Sequence, residues 1–74
     1  MHINNEEEAR AYIARWQTDP TGAQLKNLRM AKESLELSSL YYEQKGNGQG
    51  VARAEASLHL ICCRIEEIQS AENN

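Results

Sequence analysis

A heptad repeat in the last third of the chain limits most strongly the folds that this sequence can adopt. Apolar residues recur there at alternating spacings of three and four, and they are Val51, Ala54, Leu58, Ile61, Ile65 and Ile68. This pattern places one continuous apolar stripe along a helix that packs against another helix, as in a coiled coil. The sequence therefore predicts a helix over about residues 51–71, and Asn47 offers a cap for an earlier start.

A second long helix is predicted over about residues 20–44, with apolar residues on two separate sides. The first side carries Leu25, Leu28, Ala31, Leu35 and Tyr42, with Ser38 at the remaining position. The second side carries Met30, Leu37 and Tyr41, with Leu40 next to them. At about 100° per residue the two sides lie roughly 140° apart, and a helix that is apolar on two sides needs two packing partners.

Turn-forming residues separate these helices from each other and from a shorter one. Residues 45–50 contain three glycines, which favour a helix end and a chain reversal. Asp19 is a good N-cap and Pro20 suits the first helical position, so the second helix should start there. Before them a helix is predicted over about residues 5–18, because an asparagine can cap it and three glutamates follow in its first turn. Its narrow apolar face consists of Ala9, Tyr12, Ile13 and Trp16.

Three predicted helices without strand patterns make an all-α fold. A short N-terminal helix is followed by a long antiparallel helical hairpin, and residues 1–74 form a single domain. A chain this short buries only about 60% of the surface that its unfolded form exposes, so its core is marginal. The second apolar side of the middle helix then lacks a full partner, and either the short helix or another chain must cover it. We expect two copies to associate as a dimeric helical bundle.

Charge and composition argue against several classes of partner and location. The net charge of −3 and the isoelectric point near 5.3 disfavour non-specific binding to nucleic acids and to anionic membranes. No run approaches the roughly 20 apolar residues of a membrane span, and residues 1–10 lack the pattern of a signal peptide. Cys62 and Cys63 are neighbours that cannot form a disulfide without distortion. We therefore expect free thiols and a cytoplasmic protein.

The most informative functional feature is apolar surface rather than a set of reactive groups. Tyrosine is enriched at the energetic centres of interfaces, and Tyr41 lies on the second apolar side of the middle helix. The alternative is a core tyrosine whose hydroxyl reaches solvent at the end of the bundle. We expect a non-enzymatic interaction module without a cofactor: a small adaptor, inhibitor or regulatory subunit that forms a homodimer and binds an unidentified protein. Its expected contact residues are Met30, Leu37, Leu40 and Tyr41.

A basic stripe in the middle helix suggests a nucleic-acid-binding regulator as an alternative function. Its members are Lys26, Arg29 and Lys32, which would bind phosphate groups. The ordinary interpretation is that these cations are solvated and that two of them pair with Glu33 and Glu36 at a helical spacing of four. The sequence favours the ordinary interpretation, because it contains no concentrated basic surface.

A metal-dependent switch is a weaker alternative that depends on His59 and Cys63. The two residues are four apart and share one helix face, and imidazole and thiolate are suitable zinc ligands. One chain supplies too few ligands for the usual set of four, and cysteine is often only a small packing residue. We therefore expect no metal ion.

Overall fold

The computed structural model describes residues 2–72, and three α-helices account for most of that range. They are α1 (Glu6–Trp16), α2 (Thr21–Gln44) and α3 (Gly48–Glu72). α2 and α3 pack closely as an antiparallel hairpin, and α1 packs mainly against α3. No strand occurs in the described range, so the predicted all-α fold of a short helix and a long hairpin is confirmed. None of the helices in this range has the length and apolar character needed to span a membrane.

Both ends of α1 are fixed by hydrogen bonds. Asn5 Oδ1 accepts a hydrogen bond from the Glu8 backbone N–H at 2.9 Å, and Glu8 Oε1 accepts one from the Asn4 N–H at 2.7 Å. This reciprocal cap satisfies two donors that the helix itself cannot pair. The predicted end near residue 18 is wrong, because the chain turns after Trp16 and the Asp19 N–H donates to the Trp16 carbonyl at 2.9 Å.

The junction between α1 and α2 also differs from the prediction. Pro20 occupies the cap position with an extended ψ of 147°, and α2 begins at Thr21. The Pro20 carbonyl accepts the first helical hydrogen bond, from the Gln24 N–H at 3.0 Å, so the predicted cap at Asp19 is wrong. The buried Gln24 side chain donates from Nε2 to the Asp19 carbonyl at 2.8 Å and ties the turn to α2.

The turn between α2 and α3 is shorter than the glycine-rich segment suggested. α3 begins at Gly48, because Asn47 Oδ1 accepts the Gly50 N–H at 3.0 Å and the Asn47 carbonyl accepts the Val51 N–H at 3.1 Å. Gly46, with φ of 71°, is the one residue with a left-handed backbone in the described part of the chain. The alternative start capped by Asn47 is therefore confirmed, and the start predicted three residues later is wrong.

The core lies between the two long helices and under α1. From α2 it takes Leu25, Leu28, Ala31 and Leu35. From α3 it takes Ala54, Ile61 and Ile68. The remaining members of the heptad stripe, Val51, Leu58 and Ile65, are half-buried. Ala9 and Trp16 of α1 join the core, as does Ile3, which precedes the helix and which the sequence analysis did not identify. The first predicted side of α2 is confirmed as core, and α3 is rotated relative to its heptad stripe.

Two small residues, Gly50 and Ser57, lie on the buried side of the rotated α3. Ser57 is fully buried, and its Oγ donates to the Arg53 carbonyl at 2.8 Å, so its burial leaves no hydroxyl unpaired. A Cβ on Gly50 would lie 2.5 Å from Cγ of Tyr42, which means that only glycine fits beneath that ring. Tyr42 therefore packs on the inner side of α2, and Tyr41 points about 100° away from it.

Candidate interaction surface

The solvent side of α2 carries four large apolar side chains that the described part of the chain leaves at least half exposed. The exposed fractions are 52% for Met30, 68% for Leu37, 55% for Leu40 and 51% for Tyr41. We call these four side chains the outer stripe. They are the residues of the second predicted side of α2, and the structure brings them together on one surface, away from buried Leu28.

The position of α1 explains why the outer stripe is open. α1 packs mainly against α3, and the start of α1 shares a depression with Ala52 and Ala56 of α3. With 11 residues, α1 is about 16 Å long, against about 36 Å for the 24 residues of α2. The alternative in which the short helix covers the outer stripe is therefore wrong, and its coverage by another chain stays a prediction.

Tyr41 is held at the surface by its neighbours. The centroids of the Tyr41 and Tyr42 rings are 5.6 Å apart, with a tilt of 42° between the ring planes. Nζ of Lys45 lies 5.7 Å from the Tyr41 centroid, within the range of a cation–π contact. Because Tyr41 is half exposed, it is not the core tyrosine of the alternative interpretation, and Tyr42 fills the inner position instead. A ring restrained in this way loses less conformational freedom when a partner covers it.

A shallow depression runs beside the outer stripe. Its volume is about 390 Å³, and it is lined by His2, Ser34, Leu37, Ser38, Tyr41 and Tyr42. Ser34 and Ser38 are small and half-buried, whereas Leu37 and Tyr41 stand exposed beside them. Large side chains next to small ones form the ridges and grooves through which one helix interlocks with another.

The basic stripe lies elsewhere on α2 and does not form a uniformly positive surface. Lys26, Arg29 and Lys32 are all exposed. Arg29 and Lys32 share a depression of about 380 Å³ with Glu33 and Glu36. Carboxylates placed among the cations lower the positive potential that phosphate binding requires.

The ion pairs predicted for the basic stripe do not form. Across residues 2–72, the pairs within 4.0 Å are Arg10 with Glu6 and Arg64 with Glu67, and both lie outside α2. Exposed charges on long side chains gain little free energy from pairing, so the four-residue spacing alone does not bring them together.

His59 and Cys63 lie together on α3, as their spacing predicts. Sγ of Cys63 is 3.6 Å from Nε2 of His59, with the imidazole exposed and the thiol half-buried. Cys62 is also a free, half-buried thiol. Within the described residues no third histidine, cysteine or carboxylate joins the pair to form a cluster that could hold a metal ion.

A polar contact that the sequence analysis missed joins the two long helices far from the α2–α3 turn. Nη2 of Arg64 donates to Oε1 of Gln24 at 3.2 Å, and Nη1 of the same guanidinium donates to Glu67 at 3.3 Å. The Arg64 side chain is only 23% exposed, and its Nε is buried without a partner. Sequence periodicity gives no signal for such a contact, because glutamine and arginine are ordinary surface residues. Its role is to position the helices.

Comparisons with protein-family models, characterised proteins and solved structures find no match to this chain. Among the surfaces of the described residues the outer stripe stands out, because it exposes the four large apolar side chains that the core does not use.

Proposed function

We propose that this chain is a non-enzymatic protein–protein interaction module that binds stoichiometrically, as a small adaptor, inhibitor or regulatory subunit, and that it forms a homodimer. The observation that carries the proposal is the outer stripe of Met30, Leu37, Leu40 and Tyr41. Each of these side chains is more than half exposed on one helix.

The free energy of apolar burial supports an interaction role for the outer stripe. Removing a large aliphatic or aromatic side chain from water contributes about 1.5–3 kcal/mol, and the folded monomer leaves much of this contribution unused at four neighbouring positions. Contiguous apolar patches on soluble domains are commonly binding sites. A small domain with a marginal core also gains stability when a second chain covers such a patch.

The chemistry of the outer stripe supports stoichiometric binding. It offers one thioether, two isobutyl groups and one phenol, none of which is an activated nucleophile or general base. Tyr41 suits the role of anchor, because it combines a large apolar ring with a hydroxyl that can form a hydrogen bond at the edge of an interface. Leu37, at 68% exposed, is the aliphatic residue with the most surface to bury.

The test compares the solution mass of the wild-type chain with that of a Leu37→Glu/Tyr41→Glu double variant by light scattering on a size-exclusion column. The monomer has a mass of 8.4 kDa, so a dimer is easily distinguished. The matched control is Gln49→Glu/Ser70→Glu, which adds the same two negative charges at exposed positions of α3. Far-ultraviolet circular dichroism reports whether each variant keeps its helices.

We expect the wild type and the control to be dimers and the double variant to be a helical monomer, because two carboxylates in the outer stripe would be buried without partners. An unfolded double variant would show that the outer stripe belongs to the core. A wild type that is monomeric at every concentration would contradict the homodimer. The outer stripe would then be tested for binding to a different protein.

A further inference from the structure

The His59–Cys63 pair lies on a surface that neither the core nor the outer stripe uses. Both residues are two positions away from fully buried Ile61, so at about 100° per residue they lie roughly 160° from it around the axis of α3. His59 is exposed and Cys63 is half-buried. Their polar atoms share a thiol–imidazole hydrogen bond, with 3.6 Å between Nε2 and Sγ.

That distance fits two ligands of one metal ion. Zinc in proteins is tetrahedral, with bonds of about 2.3 Å to sulfur and about 2.0–2.1 Å to imidazole nitrogen, which places two such ligands about 3.6 Å apart. The His59 and Cys63 atoms already lie at this separation. A metal ion could therefore bind with little change in the separation of the two ligand atoms.

We infer that His59 Nε2 and Cys63 Sγ chelate a divalent transition-metal ion of the zinc type on the outer side of α3. Imidazole and thiolate are the ligand types that such ions prefer. On binding, the Cys63 thiol loses its proton to solvent and forms the metal–sulfur bond, while neutral His59 supplies its Nε2 lone pair. No electron is transferred, and no further reactant is required.

Residues 2–72 supply two ligands, so the ion would be held in an open site at the surface of α3. No third side chain of the described residues completes the cluster, so water molecules occupy the remaining positions of the ion. Glu55 lies about one turn before His59, and Glu66 lies about one turn after Cys63. Both glutamates are exposed on the same helix, and their negative charges favour a cation nearby. This site lies on a different helix from the outer stripe and does not depend on the proposed function.

The experiment titrates the reduced, tag-free full chain with Co²⁺ and follows the near-ultraviolet charge-transfer band that a thiolate–cobalt bond produces. Zn²⁺ is then added to displace the cobalt. The variants are His59→Ala and Cys63→Ser. The matched control is Cys62→Ser, which removes a neighbouring half-buried thiol that points about 100° away from Cys63.

We expect the band in the wild type and in Cys62→Ser, and its loss on addition of Zn²⁺. Cys63→Ser should show no band because it lacks the thiolate ligand, and His59→Ala should bind Co²⁺ at least roughly tenfold more weakly than the wild type. Zn²⁺ should also raise the melting temperature of the wild type but not of Cys63→Ser, because an ion that bridges two turns of α3 stabilises the folded state. The inference is wrong if the wild type shows no band at saturating Co²⁺, if Cys63→Ser retains the band, if His59→Ala binds Co²⁺ as tightly as the wild type, or if Cys62→Ser abolishes the band.

Discussion

The two apolar sides of α2 contain similar residues, but the other residues that the structure describes bury only one of them. On the inner side Leu28 and Leu35 are 1% and 2% exposed, whereas on the outer side Leu37 and Leu40 are 68% and 55% exposed. The difference arises because α3 packs against the inner side of α2 and α1 packs mainly against α3, so neither covers the outer side. An apolar stripe therefore identifies a side of a helix that needs covering, and the position of the other helices decides whether the same chain covers it.

The largest effect should separate the two sides of α2 directly. Leu28→Ala removes a fully buried side chain and should lower the free energy of unfolding by about 2–5 kcal/mol, because a cavity is left between the helices. Leu37→Ala, measured at concentrations where the chain is monomeric, should change it by less than about 0.5 kcal/mol. Urea unfolding followed by circular dichroism measures both values. Similar losses for the two variants would contradict the assignment of inner and outer sides.

A smaller effect tests the close contact between the inner side of α2 and the start of α3. Gly50→Ala places a methyl group against the Tyr42 ring and should cost about 1–3 kcal/mol of unfolding free energy. Gly48→Ala is the matched control, because nothing lies within 4 Å of the position of its Cβ. The control should be neutral or up to about 1 kcal/mol more stable, since alanine is the better helix former. If both variants were equally stable, the Tyr42 ring would not be tightly packed on Gly50.

The smallest effect concerns the polar contact at the other end of the inner side. Gln24→Ala removes the amide that donates to the Asp19 carbonyl and accepts from Arg64, and it should lower the free energy of unfolding by about 1–2 kcal/mol. Gln44→Ala replaces an exposed glutamine of the same helix and should have an effect below about 0.5 kcal/mol. Thermal unfolding of the two variants provides the measurement, and an equal shift in both would show that the buried amide adds nothing to the stability of the junction.

Helical periodicity was sufficient to predict the helices and the inner side of α2. The heptad spacing on α3 and the stripe through Leu28 and Leu35 depend only on the geometry of one helix, so they are visible in the sequence. The asparagine caps at Asn5 and Asn47 were also predictable, because capping depends on a few neighbouring residues.

The contacts between helices were not predictable from these patterns. Glycine is typical of loops, so the sequence suggests a turn at Gly50. In the structure Gly50 instead lets the Tyr42 ring approach α3. Buried Gln24 and Ser57 resemble surface residues, and their burial is tolerated only because specific carbonyl groups accept their hydrogen bonds. The outer stripe was identifiable as an apolar surface, but its exposure follows from the position of α1 in the folded chain.

The concentration dependence of the melting temperature tests most directly whether a second copy of this chain covers the outer stripe. If a second copy covers it, the melting temperature of the wild type should rise with protein concentration, because association stabilises the folded state. The Leu37→Glu/Tyr41→Glu variant should then unfold cooperatively at a temperature that does not change with concentration. A wild-type melting temperature that is independent of concentration, or a variant with the same dependence as the wild type, would contradict self-association through the outer stripe.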